Sequence, residues 1–381
     1  MRGRWWRSWN GARSAGGSGW RSRLGRRGWW WRRGARRRAG IGRGGDMLSG
    51  GDGLDAVELR AGVAAVLGWR GVGEDALWKR VRLGDGHPGD RVEEVVFVDR
   101  KQGWCLVGER NVYATEDGGA RWAFRYAAPE GTHLSNLAFS NQREGWAMGT
   151  REGRPIALRT LDGGGSWESV IDGLPNGAGG LTRVWANGER VVATGQVRFD
   201  GNDEAVILGL SDGERWEMRY RGGKRHGALW DLRFVESAGG WAVGPGIVLV
   251  SADGGASWKA RLTDTDDIGL GSVTAIGLAS VWVAGGWNKL MRSEDGGMTW
   301  RVVPKKHFPT ELFFTQVAFV DARTGWVAGD RGSAYRTADG GASWRLERIG
   351  GNGVVRRLWV QGRRMWAATD EGLFSCEEEE R

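Results

Sequence analysis

The sequence predicts an all-β fold, a seven-bladed β-propeller of four-stranded antiparallel blades. Three observations predict it: a short phrase that recurs along the chain, the spacing of its copies, and the β-rich runs between them. The phrase is Ser/Thr-x-Asp-Gly-Gly-x-x-Trp, complete at Thr115–Trp122, Thr160–Trp167, Ser251–Trp258, Ser293–Trp300 and Thr337–Trp344. A clipped sixth copy runs from Leu210 through Asp212 to Trp216, and a seventh survives as Thr369-Asp370-Glu371-Gly372. The aspartates stand at 117, 162, 212, 253, 295, 339 and 370, so all intervals but the last fall between 41 and 50 residues. A period in the low forties built of short alternating segments matches one propeller blade.

Each period reads as four strands. In the first, Val95–Val98 is an apolar run, Gly103-Trp104 a hairpin, Cys105–Gly108 a second run, and Val112–Ala114 a third that leads into the Asp turn. Gly145-Trp146, Gly240-Trp241 and Gly325-Trp326 repeat the hairpin. The fourth strand is expected to begin at the Trp that ends the phrase. Short β-branched and aromatic runs bounded by Gly and Asp are strand signals, and no helix-period stretch competes. Trp78–Leu83 has the form of a fourth strand with no Asp turn before it, whereas the last repeat, Val355–Cys376, has three strands and no fourth. The expected closure gives the segment at about 78–83 to the C-terminal blade, which removes an open seam.

The phrase itself reads as structural. Gly supplies a positive φ, the Asp carboxylate can accept N–H groups two or three residues on, and the Trp offers an apolar face with its N–H toward water. Asp117, Asp162, Asp212, Asp253, Asp295, Asp339 and Asp370 are therefore assigned as structural Asp-turn residues. Seven rim turns cannot converge on one substrate, and one carboxylate per turn makes no calcium site.

The formal charge of +9 is unevenly spread. Residues 1–46 hold fourteen Arg and one acid, Asp46, and leave 41 basic and 45 acidic residues in the rest. This Arg/Gly/Trp-rich leader lacks the aliphatic residues a core needs. It has three readings: a disordered basic arm for nucleic acid or an anionic membrane, a targeting peptide, or an over-long reading of G-rich codons with Met47 as the start. Residues 47–75 read as a linker or the remnant of a leader, since the apolar run Ala61–Leu67 is too short to span a membrane. The propeller is expected over 76–376, followed by an acidic tail, 377–381. Cys105 reads as a small buried apolar residue. His87, His133, His226 and His307 share no ligand spacing, so no metal and no cofactor are expected.

The Asp turn resembles the Asp-box (BNR) repeat. Together with the hairpins Asp99–Trp104, Asn141–Trp146, Glu236–Trp241 and Asp321–Trp326, the chain resembles the photosystem II assembly and stability factor family, the Ycf48-like propellers. The resemblance covers about 300 residues. It implies a non-catalytic scaffold for protein binding or complex assembly, with a protein partner that belongs to a membrane-protein complex. It also implies an exported, periplasmic or lumen-facing location. A monomer is expected, with no nucleic acid partner unless the 1–46 arm is real. The alternative is a sialidase- or glycosidase-like, or glycan-binding, Asp-box propeller. Against it, the Phe-Arg-Ile-Pro signature of sialidases is absent, and Tyr113, Tyr126, Tyr220 and Tyr335 fall on third and fourth strands, away from the channel.

Two sets of residues are candidates for binding. Loops between second and third strands open on the face opposite the Asp turns and carry Arg110, Arg151, Arg154, Arg198, Lys289 and Arg331. Lys224, Arg225, Lys305 and Lys306 lie in the inter-blade loops of that face, with an acidic counter-patch at Asp264, Asp266 and Asp267. Gly195–Glu204 is expected as its longest loop, with Phe199 at the tip. A basic face of this kind suits an acidic partner steered by charge. On the first strands, Glu94, Asn136, Arg183, Asp231, Gln316 and Arg357 precede core residues and are expected to line the channel, with Ala275 as the non-polar exception. Pairing of Asp231 with Arg183, or Glu94 with Arg357, is the expected arrangement.

Overall fold

Short runs of β-branched and aromatic residues, each stopped by Gly, Asp or Asn, can bury both faces only by stacking sheet on sheet, and a ring of blades provides this. The computed structural model describes residues 78–84 and 90–377, apart from 189, 212–213, 224–225, 237, 264–268 and 362–363. The expectations for 1–46 and 47–75, for Asp212, Lys224, Arg225 and the 264–267 patch, and for the tail past Glu377 lie outside the described residues.

Among the described residues, 28 strands form seven four-stranded antiparallel sheets. Blade one comprises β2 (Val92–Phe97), β3 (Gly103–Val107), β4 (Asn111–Thr115) and β5 (Ala123–Ala127). Blade two runs from β6 (Thr132–Phe139) to β9 (Glu168–Ser169), and blade three from β10 (Gly179–Asn187) to β13 (Arg215–Arg221). Blade four runs from β14 (Asp231–Val235) to β17 (Lys259–Thr263), blade five from β18 (Leu270–Ile276) to β21 (Arg301–Val302), and blade six from β22 (Phe314–Phe319) to β25 (Arg345–Arg348). Blade seven joins β26 (Val355–Gln361), β27 (Arg364–Thr369) and β28 (Gly372–Glu377) to β1 (Lys79–Val81), with Lys79 opposite Ser375 and Val81 opposite Leu373. In the five complete copies the fourth strand begins after the Trp of the phrase: Trp122 packs into the core, and β5 starts at Ala123; in the clipped copy β13 begins at Arg215, ahead of Trp216.

The apolar core falls into seven clusters, each joining neighbouring blades. A directional interlock links the two repeated motifs. The hairpin Trp104 of blade one stacks on Phe139 of blade two, with ring centroids 3.6 Å apart, and its Nε1 donates to the Gly163 carbonyl in that blade's Asp turn (2.8 Å). Trp366 of blade seven likewise stacks on Phe97 of blade one (5.0 Å), and a Cβ on Gly119 would meet the Trp366 ring at 2.1 Å. The second glycine of the phrase is required by its left-handed backbone, φ +86° at Gly119, and at Gly119 and Gly341 also by the tryptophan of the preceding blade, whereas at Gly164 the Trp104 ring leaves 3.6 Å.

Inside the turn the carboxylate works harder than its sequence suggests. Asp162 Oδ1 accepts the N–H groups of Gly165 (2.9 Å) and Ser166 (3.0 Å), three and four residues on, while Oδ2 takes the Ser166 hydroxyl (2.7 Å). The Thr160 hydroxyl donates to Oδ1 (2.8 Å) and accepts the Gly164 N–H (2.9 Å). In the last complete copy the half-buried Trp344 donates its N–H to the Gly341 carbonyl of its own turn (3.1 Å). The hydroxyl bonds from Thr299 and Ser343 hold the carboxyls of Asp295 and Asp339 down at about 2.

Asp370 is placed differently from the other aspartates assigned to Asp turns. It lies between β27 and β28, the second and third strands of its blade, where Thr369 pairs directly with Gly372. The fourth strand of blade seven comes from the other end of the chain, so no third-to-fourth turn exists there to hold an Asp box. Asp370 instead accepts the Val354 N–H (3.3 Å) and pairs with Arg356.

Candidate functional site

Six of the seven first strands carry a β-bulge, in five of them directly before the residue expected to line the channel, as between Val92 and Glu94 or Val355 and Arg357. A bulge re-aims the next side chain. Here it turns Glu94, Asn136, Arg183, Ser272, Gln316 and Arg357 to a common level, joined by Asp231 of blade four. In blade five the bulge falls between Leu270 and Ser272, so Ser272 occupies this level and Ala275 does not.

These side chains form a bonded belt. Asp231 Oδ1 meets Arg183 Nε at 3.2 Å and Arg357 Nη1 at 2.9 Å, and Arg357 Nε lies 3.2 Å from Glu94 Oε1. Arg183 Nη1 stands 3.9 Å from Glu94 Oε2, which also accepts the Asn136 amide. Both expected ion pairs therefore form, and both cross-pairs with them. The belt also bonds to backbone around the ring: Val184 N–H donates to Asn136 Oδ1 (2.8 Å), Val273 N–H to Asp231 Oδ2 (2.9 Å), and Val317 N–H to Ser272 Oγ (3.2 Å). Ser272 donates in turn to Asp231 Oδ2 (3.0 Å).

The two carboxylates are only 1–2% exposed. Burial drives both upward; at Asp231 the Arg357 and Arg183 charges outweigh it and hold the carboxyl below its ordinary value, whereas at Glu94 burial prevails and the value is raised. Locked by arginines and backbone, neither is placed to attack or protonate a sugar in the way a glycosidase pair must. Among the described residues, no group of three or more His, Cys, Asp or Glu is placed to hold a metal ion.

The six rim cations all lie on the face opposite the Asp turns, but they differ in what engages them. Arg110 caps the Ala128 carbonyl through Nε (3.1 Å) and Nη2 (2.8 Å), and Arg198 pairs with Asp203 (2.8 Å). Arg331 stands 3.8 Å from Asp330, and Lys289 is half-buried. Arg151 and Arg154 flank the turn Glu152-Gly153, both exposed and neither in an ion pair among the described residues. The expected long loop 195–204 is mostly strand, since Gly195 pairs with Val206 and Phe199 with Asn202, and Arg221 lies over the Phe199 ring at 4.1 Å.

Arg233, which the sequence reading passed over, also faces the channel. It stands two residues past Asp231 on β14, and strand alternation puts both on one side. That period-two signal was available in the sequence.

A ring of seven such blades, with five of its repeated aspartates bonded into turns and its inner carboxylates held in ion pairs, defines an Asp-box β-propeller. The model of the photosynthesis system II assembly factor YCF48 family matches residues 72–193 and 210–309. The chain belongs to this family. The photosystem II assembly lipoprotein Ycf48 of Synechococcus sp. (strain CC9902) is 32% identical over 259 residues, covering 55% of this chain and 74% of that protein. Among solved structures, YCF48 bound to D1 peptide aligns at a TM-score of 0.62 with 18% identity, over 81% of this chain and 98% of that one. YCF48 from Cyanidioschyzon merolae aligns at 0.61 with 20% identity, over 79% and 98%. These two likenesses concern the fold.

Proposed function

We propose that this chain is a non-catalytic scaffold that binds a protein partner during assembly of a membrane-protein complex, as its family does, and that it docks the partner on the face opposite the Asp turns. The observation that carries the choice of face is the pair Arg151 and Arg154, exposed and without an ion pair among the described residues, with Arg110, Arg198, Lys289 and Arg331 on the same side. Charges of one sign at a rim raise association rates and select partners of the opposite sign. Arg183 and Arg357, also candidates from the sequence, contribute less directly, because they set the charge-balanced belt beneath this face. The propeller at 76–376 is the binding unit in this reading, and residues 1–46 take no part.

Charge reversal tests it. Full-length chain carrying R151E, R154E and R331E is titrated with the labelled D1 peptide alongside the wild type, at low and high salt. Wild-type binding should weaken with salt, and the triple variant should bind about tenfold more weakly or worse and lose that dependence. Equal affinities for the two proteins would remove this face from consideration. Deletion of residues 1–46 should leave binding unchanged.

A further inference from the structure

The belt has a second consequence on its other side. Each first strand runs toward its hairpin with the second strand, and that hairpin abuts the Asp turn of the same blade, as when Gly118 N–H donates to the Lys101 carbonyl (2.9 Å). Axis-facing residues two positions past the belt therefore form a layer nearer the Asp-turn face. The belt closes the channel below this layer, because Arg357 of blade seven reaches across to Asp231 of blade four. Above it remains a cavity of about 130 Å³ lined by belt residues and by Arg233, Thr274, Ala318 and Trp359.

Charge is unbalanced in this well. The belt contains two guanidinium groups and two carboxylates, which cancel. Arg233 adds a positive charge that makes no hydrogen bond or ion pair among the described residues, and it is open to the water of the channel. The counter-charge acting on it is that of Asp231, whose oxygens already accept Arg183, Arg357, Ser272 and the Val273 N–H. Although the side chain is exposed to the channel, desolvation by the ring around it, together with the Arg357 charge, holds its pKa below the usual value. The Thr274 hydroxyl, in the same layer, also makes no hydrogen bond among the described residues.

We propose that this well is a carboxylate-binding site, with the Arg233 guanidinium as its anchor and Thr274 as a second donor. A guanidinium offers a planar fork that matches a carboxylate. A monoanion cancels the single excess charge, whereas a phosphate dianion would overshoot it against the Asp231 and Glu94 charges just below. Trp359 and Ala318 supply an apolar wall for the carbon next to the carboxylate, and the volume admits a small acid or the end of a peptide. The site is independent of the docking face, from which the belt separates it.

Calorimetric titration of the full chain with propionate, with a short apolar peptide bearing a free C-terminus, and with the amide of that peptide tests the assignment. Saturable binding of propionate identifies a free acid as sufficient. Binding of the free-acid peptide alone, and not its amide, identifies a chain terminus as the source. In either case Arg233→Gln should weaken binding about tenfold or more, the loss of charged hydrogen bonds. No saturable binding by any probe, or equal binding by wild type and R233Q, would overturn the proposal. Should R233Q fail to fold, crystals of the wild-type protein soaked in bromopropionate replace it. Bromine density beside Arg233 is the expected result, and none there is the contrary one.

Discussion

Asp231→Ala removes the node on which the belt depends. In the native ring its Oδ1 accepts two guanidinium groups and its Oδ2 accepts the Ser272 hydroxyl and the Val273 N–H. Removing one partner of a buried ion pair costs roughly 3–5 kcal/mol, and a stranded backbone N–H about 1–3 kcal/mol. These do not simply add, because Glu94 remains 3.2 Å from Arg357 and 3.9 Å from Arg183 and takes up part of their charge. The expected loss is about 4 kcal/mol, seen as a lower denaturant midpoint in guanidinium unfolding and a fall of roughly 10 °C in Tm. A double-mutant cycle locates the effect: Arg357→Met should cost markedly less on the D231A background than on the wild type. A loss below about 1 kcal/mol, with additive effects in the cycle, would mean that the belt is no more than a solvated surface pair and would refute the reasoning.

Two further substitutions separate the roles of the repeated glycines and hydroxyls. Gly119→Ala should destabilise by about 2–4 kcal/mol in thermal unfolding, because it combines a positive φ with a clash against Trp366; Gly108→Ala, at φ +60° with nothing within 4 Å, should cost only about 1 kcal/mol. Equal losses would show that backbone conformation alone explains the second glycine. Thr299→Ala removes the first of the bonds that depress Asp295. A carboxylate with a depressed folded value stabilises above the unfolded value of 3.8 and loses that contribution as pH falls toward about 2. The variant should therefore show an Asp295 carboxyl titrating closer to 3.8 by NMR and an earlier onset of acid unfolding, and an unmoved titration would contradict the assignment.

Much of the fold was legible because the repeat carries its own ruler: the Asp spacing counts blades, and the Gly-Trp hairpins mark where strands one and two meet. Asp370 misled for a topological reason. Its short 31-residue interval signals a second-to-third turn, because the blade's fourth strand arrives from the opposite terminus. The channel polar residues were legible from their place before a core Val or Leu, yet Ala275 was misplaced since a bulge shifts register without any mark in composition. What no local pattern reveals is the cross-pairing of Arg183 with Glu94 and of Arg357 with Asp231, because the belt joins residues as far apart in the chain as Glu94 and Arg357. Arg233 does not precede a core Val or Leu as the belt residues do; only its two-residue phase with Asp231 marks it as axis-facing.

Blade seven is the place where a ring made from one chain would be expected to unzip, since its outer strand and its other three come from opposite termini. Its Arg357 acts as a spoke to the far side of the wheel, and its Trp366 is pinned under the Asp turn of blade one. Fraying at this seam therefore cannot stay local: withdrawing blade seven pulls a buried cation from its counter-ions and uncovers an indole in the same movement. The most vulnerable joint is thereby tied to the stability of the whole, and its inner amides should exchange with solvent no faster than those of blade four.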